Sequence, residues 1–149
     1  MVKLAAKKGA ILPENPLFRK RNMQFQENSP AGGAAWSADG KGRLKNGGTV
    51  YETPVCLIGG RVFPVSESRP EDLSAETFEK LFAEHGAPEV VLVGTGTKQR
   101  FLHPRLNAAL AAHGAGIEYM STAAACRTLL MLQSEGREVW AWLWPQEAV

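Results

Sequence analysis

Between residues 89 and 144 the chain alternates short apolar runs with segments of helical period, and this alternation limits the folds open to it. A strand is expected at 89–93, and a helix begins at Pro104, with Leu106, Ala109 and Leu110 on its inner face, and stops at Gly114. A second strand at 117–120 leads into a helix at 122–134, and a third strand follows at 137–144. Strands joined through single helices cannot pair as hairpins. They need crossovers, which are right-handed, so the pattern predicts βαβαβ and a mainly parallel sheet. A preceding helix starts at Ser74, a good N-cap, with Leu73 and Phe78 placed as a hydrophobic staple. Phe78, Leu81 and Phe82 give it one apolar face, and Gly86 ends it.

The first half has a different texture. Residues 29–48 are rich in Gly, Ala and Ser, and Asn46-Gly47-Gly48 is a hairpin signal because glycine accepts positive φ. Strands are expected at 43–45, 49–58 and, after Gly59-Gly60, at 61–65. Pro54 and Pro64 lack amide donors and belong at sheet edges or bulges. This half therefore reads as an antiparallel meander.

At 149 residues, with 44% hydrophobic and 21% charged, the chain is long enough for one packed domain. No apolar run approaches the roughly 18 residues of a membrane helix, so no transmembrane segment is expected. Cys56 and Cys126 stand far apart in apolar or helical contexts, which suits reduced thiols in a cytoplasmic protein. Charge is uneven. Residues 1–22 carry six cations against Glu14 alone, while the remainder holds eleven cations against fourteen acids. Residues 1–22 are therefore expected as a basic flexible tail and 23–149 as a single α/β domain. The tail reads as a solvated extension or as a contact for an acidic partner, RNA or a membrane surface. A mitochondrial presequence, were the host eukaryotic, is the third reading, although the tail has neither serine nor an arginine before Arg19.

Two strand-to-helix junctions carry the polar residues of interest. One is Gly94-Thr95-Gly96 with Lys98, Arg100 and His103; the other is Ser121-Thr122 with Cys126 and Arg127. If their strands are parallel, both open on one sheet edge, where an open α/β sheet binds its ligand. The glycines permit close approach of backbone amides to an anion, or else simply a tight turn. They complete neither the dinucleotide fingerprint, since Gln99 replaces its last glycine, nor a phosphate-binding loop. Cys126 lies about one turn into its helix beside Arg127, where the dipole favours thiolate; the alternative is a cysteine packed on the sheet.

Other chemistries find less support. His85, His103 and His113 lack ligand spacing and there is no Cys-x-x-Cys, so no metal or cofactor is expected. Ser121 lacks a nucleophile elbow, and Glu135 with Arg137 reads as a turn-side ion pair. No catalytic residue is assigned. Trp140, Trp142 and Trp144 alternate along the last strand, so three indoles share one side, either as core or as an exposed interface. No nucleic-acid recognition motif accompanies them, and none is expected to bind.

The order of motifs carries a further signal. After the Val-rich strand ending in Gly94-Thr95-Gly96 come Phe101-Leu102-x-Pro104, then Gly116-Ile117-Glu118-x-Met120-x-Thr122-x-Ala124-Ala125-Cys126-Arg127-Thr128. Glu135-x-Arg137-x-Val139-x-Ala141-x-Leu143 completes the series. In that order the chain resembles the small domain-of-unknown-function family that includes the mitochondrial respiratory complex I assembly factor 3. The resemblance spans about residues 40–144, with its sharp motifs within 90–143. It departs at Leu129-Leu130, where many relatives have Tyr-Asn, and at Phe63-Pro64-Val65, where relatives often carry tryptophan. The resemblance implies a three-layer α/β fold with a mixed sheet, an added β-hairpin region and no established catalysis. A non-enzymatic binding or assembly-assisting protein with a protein partner is the expectation. The competing expectation is a binder of, or enzyme for, an anionic small molecule at the junction cleft.

Overall fold

The computed structural model describes residues 35–146, and the basic segment 1–22 lies outside them. The chain opens with three short antiparallel strands, β1 Trp36–Asp39, β2 Arg43–Asn46 and β3 Thr49–Tyr51. The Asp39 carboxylate organises the first turn, accepting from the amides of Lys41 (3.0 Å) and Arg43 (3.1 Å) and from Arg43 Nε (2.9 Å). At the second turn Asn46 faces Thr49 across Gly47, whose φ of 60° needs a residue without a Cβ. The strand β1 was not expected from the Gly/Ala/Ser-rich texture. Its one sequence trace is the alternation of Trp36 and Ala38 with Ser37 and Asp39.

The single strand expected at 49–58 is two. Between Tyr51 and β4 (Val55–Ile58) stand Glu52, Thr53 and Pro54, and β4 belongs to a second sheet. Pro54 has no amide to give a ladder, and it restricts the residue before it, so pairing stops there. Its carbonyl is still used, accepting from Val65 N at 3.1 Å. Then β4 turns through Gly59 and Gly60, both at positive φ, into β5 (Arg61–Pro64), as a type I′ loop requires.

A 3₁₀ turn at Pro70–Asp72 precedes α1 (Ala75–His85), and β6 (Val90–Thr95), α2 (Pro104–Ala111), β7 (Gly116–Met120), α3 (Thr122–Ser134) and β8 (Val139–Trp144) follow. The second sheet has the order β5-β4-β8-β6-β7. Strands β8, β6 and β7 run parallel, as their helical connections dictate, while β4 and β5 are antiparallel additions. The result is a mixed α/β fold with a separate three-stranded antiparallel sheet. Helix limits follow their caps: Ser74 Oγ accepts from Thr77 N at 3.3 Å, and Gly86 closes α1 at φ 81°. Arg137 does not pair with Glu135; its Nε reaches Glu89 Oε1 at 2.9 Å, because the turn after α3 brings β8 beside the start of β6.

The five-stranded sheet buries both faces, and they differ in bulk. On one, α1 and α2 cover Val91, Val93, Cys56 and the three indoles of β8, with Phe78 and Trp142 ring centroids 4.9 Å apart. On the other, α3 and the small sheet cover Leu92, Ala141, Leu143, Val55 and Leu57. Trp140, Trp142 and Trp144 are therefore core, and the interface reading of that strand is corrected. The α3 face carries small residues because the helix lies very close. A Cβ built on Gly94 would stand 3.0 Å from both Cα and Oγ1 of Thr122 and 3.1 Å from Cβ of Ala125. Gly94→Ala is accordingly expected to destabilise by roughly 1–3 kcal/mol through overpacking, measured as a lower urea midpoint. Gly48→Ala, whose added methyl meets open space, should change the midpoint little.

Candidate functional site

The parallel strands β8, β6 and β7 end at one edge, with Thr95 level with Trp144 and Gly94 level with Met120. From β6 the chain leaves towards α2 on one face; from β7 it leaves towards α3 on the opposite face. The crevice of an open α/β sheet belongs between two such strands. Gly94, Thr95, Gly96, Ser121 and Thr122, from the two junctions, meet here.

Their polar groups, however, bind one another. Thr122 is 0% exposed. Its amide donates to Gly96 O at 2.8 Å, and its hydroxyl accepts from Gly96 N at 2.8 Å and donates to Trp144 O at 2.5 Å. The Thr95 hydroxyl shares its proton between the carbonyls of Lys98 (2.6 Å) and Met120 (3.1 Å) and accepts from Arg100 N at 3.0 Å. Gln99 Nε2 adds a bond to Tyr119 O at 3.0 Å. Ser121 Oγ accepts from Ala124 N at 3.3 Å as the cap of α3. The Gly96 amide, which a bound anion would require, is already donated within the chain.

The remaining candidates separate. Lys98 and Arg127 are exposed on different elements. Arg100 Nη1 lies 3.2 Å from Glu71 Oε2, tying the loop to the 3₁₀ turn. The Glu71 carboxyl is held below its ordinary value by its own backbone amide and, after a smaller opposing effect of burial, by Arg100. His103 caps α2, Nδ1 accepting from Arg105 N at 3.0 Å.

Cys126 corrects the cleft as expected from sequence. It is 3% exposed and packs under the small sheet with Trp36, Leu44 and Tyr51. Burial pushes its thiol up from an ordinary 9.0 to about 11, outweighing the lowering effect of Arg127. The position near the start of α3 suggested a thiolate, but burial under the small sheet decides the outcome the other way. Cys56 is also buried and its thiol also raised, by burial first and the Glu67 carboxylate second. Among the described residues no three His, Cys, Asp or Glu side chains gather as metal ligands.

Two features were missed. One is a depression of about 360 Å³ between the starts of α1 and α2, lined by Leu73, Ser74, Ala75, Glu76, His103, Arg105 and Leu106. Ser74 and Pro104 were each legible as helix starts, but their approach is a tertiary fact. The other is Phe101, 77% exposed on the loop that leads to it. Glu67, half-buried behind β5, has its carboxyl raised chiefly by burial and further by Asp72.

The match to known proteins covers this same core. The family model described as "Protein of unknown function (DUF498/DUF598)" matches residues 37–144. The chain belongs to the DUF498/DUF598 family. Among the relatives of this family member is the bovine (Bos taurus) NADH dehydrogenase [ubiquinone] 1 alpha subcomplex assembly factor 3. It is 30% identical over 127 residues, covering 85% of this chain and 68% of the bovine protein. A crystal structure from Bordetella parapertussis shares 36% identity with a TM-score of 0.66, covering 78% of this chain and all of that one. A solution structure from Bordetella pertussis, described as a Mth938-like domain, shares 30% identity with a TM-score of 0.67, covering 80% of this chain and 90% of the other. The DUF498/DUF598 match thus takes in both sheets and all three helices of the described residues.

Two outcomes follow from this geometry. Thr122→Val removes the hydroxyl and orphans two buried backbone groups, at about 1–3 kcal/mol for each, whereas Thr122→Ser should retain most of the stability; denaturant unfolding compares them. At pH 8 Cys126 should resist iodoacetamide in the native protein and react once denatured, and labelling at a free-thiol rate in the native state contradicts its burial. The raised thiol holds its proton in the folded state while the unfolded chain releases one, so this residue's contribution to stability falls as pH rises from 9.0 towards 11.

Proposed function

We propose that this chain is a binding protein that assists assembly of a multi-subunit complex, with a respiratory NADH dehydrogenase as its expected client, and that it acts without catalysis. The observation that carries this reading is the internal closure of the sheet edge. The Gly96 amide and the Thr95 and Thr122 hydroxyls bond within the chain, and Cys126, the best candidate nucleophile, is buried with a raised thiol. An edge that spends its donors on itself is a rigid platform for a partner and has little left to activate a substrate. Relatives named NADH dehydrogenase [ubiquinone] 1 alpha subcomplex assembly factor 3 in cattle and zebrafish (Danio rerio), aligned over 85% and 88% of this chain, support the choice of client.

The expected ligand is then a protein. An anionic small molecule at the junctions would have to displace the contacts of Thr95 and Thr122. Among the described residues no helix is long and apolar enough to cross a membrane. We place the protein in the cytoplasm, working on aqueous parts of its client; in a eukaryotic host the corresponding compartment is the mitochondrial interior.

Deleting the gene in its host should reduce the fully assembled NADH dehydrogenase and accumulate smaller subcomplexes on native gels. The wild-type chain and Cys126→Ser should both restore assembly. Unchanged assembly in the deletion strain removes the proposal. Loss of rescue by a folded Cys126→Ser protein would return the thiol to the centre of the mechanism.

A further inference from the structure

Phe101 is the outlier of the described surface. It is 77% exposed, against 54% for Met131 and 44% for Leu130, the next most open large apolar side chains. Its backbone is not slack. On one side the Thr95 hydroxyl holds Lys98 O and Arg100 N, and Gln99 is bonded to Tyr119 O. On the other, Leu102 is buried in the core and His103 caps α2. Neighbours fixed on both sides keep the ring outside the packing.

Within the Phe101 loop itself the charges are one-sided. From residue 97 to residue 106 the sequence has no acid. Arg100 is engaged by Glu71, while Lys98 and Arg105 are exposed and have no ion pair within the described residues. An exposed aromatic on a held backbone, flanked in sequence by two available cations, has the composition of an interface anchor with a polar rim.

We infer that residues 97–105 form a docking edge for an acidic segment of a partner protein, with Phe101 entering an apolar pocket and Lys98 and Arg105 meeting carboxylates at its rim. This rests on the protein-binding reading above and assigns it a surface. A protein segment fits better than nucleic acid or an anionic bilayer because of what surrounds the cations. Glu71, Asp72 and Glu76 stand on the neighbouring 3₁₀ turn and helix start, and residues 23–149 are net acidic. An extended polyanion would be repelled there; a short acidic segment reaches only the cationic strip. The clamped loop also lowers the ordering cost of binding.

The test replaces Phe101 in the full chain with p-benzoylphenylalanine, which keeps an aromatic ring, and photo-crosslinks in the native host. The same probe at Leu130 on α3 serves as the comparison. The expected result is one protein adduct from position 101 whose crosslinked peptide is rich in Asp and Glu. Lys98→Glu with Arg105→Glu should reduce its yield roughly tenfold or more, with unchanged thermal unfolding. Arg105→Glu is safe for the fold because an acid in the first turn suits the α2 dipole. The inference is overturned by an adduct insensitive to charge reversal, by a contact peptide without acids, or by crosslinking to nucleic acid, lipid or a second copy. Adducts from position 130 alone, or from neither position, reject this edge, while the protein-binding reading stands or falls on the assembly assay.

Discussion

The Thr122 side chain is the point on which the sheet edge depends. A single buried hydroxyl joins the loop after β6 to the last residue of β8, while the amide of the same residue holds the loop from the start of α3. Three segments that are distant in sequence are thereby fixed at one place. A polar group at this depth is tolerated because it is fully used, and losing it would leave backbone donors and acceptors without water to replace it. The close seat of α3 on Gly94 has the same origin: the helix must come near enough for Thr122 to reach both strands.

The two faces of the sheet answer this constraint. Where α3 lies close, the sheet and helix present Gly94, Ala141 and Ala125. Displaced bulk collects on the opposite face, where the indoles of β8 pack with Phe78 and Phe82 under α1 and α2. Both layers are needed to cover a sheet whose central strand, β8, is apolar on both sides. The tryptophans are thus the filling of the thicker layer.

This construction also shapes the functional reading. In other α/β sheets the switch point leaves amides and hydroxyls free for a ligand; here they form the seam. Polarity at the edge is spent on rigidity, and the exposed features lie just beyond the seam, on the Phe101 loop and around the two helix starts. A fixed surface of that kind serves recognition better than bond-making. Buried Cys126 fits the same pattern, since its thiol fills space under the small sheet.

Much of the architecture is local and was legible. Ser74, Pro104, Gly86 and Gly114 mark helix limits through capping and backbone geometry, and the strand–helix alternation of 89–144 allows little besides parallel crossovers. The family motifs also lie in that stretch. The division of 49–58 into two sheets was not legible: Pro54 reads locally as an edge or bulge position within one strand, and which sheet each side joins is set by distant partners. Chemistry was less accessible, for a physical reason. Whether Gly96 N or the Thr95 hydroxyl is available depends on which groups lie within about 3 Å of it, and those partners are up to 26 residues away in sequence; the residues that bury the Cys126 thiol, Trp36 and Leu44 among them, are farther still. The sequence by itself determined the helices and the parallel strands of 89–144, and it brought Gly94–Gly96 and Ser121–Thr122 to one sheet edge. Only the tertiary structure decided that those residues satisfy one another, because hydrogen bonding and burial are set by through-space neighbours that no local pattern encodes.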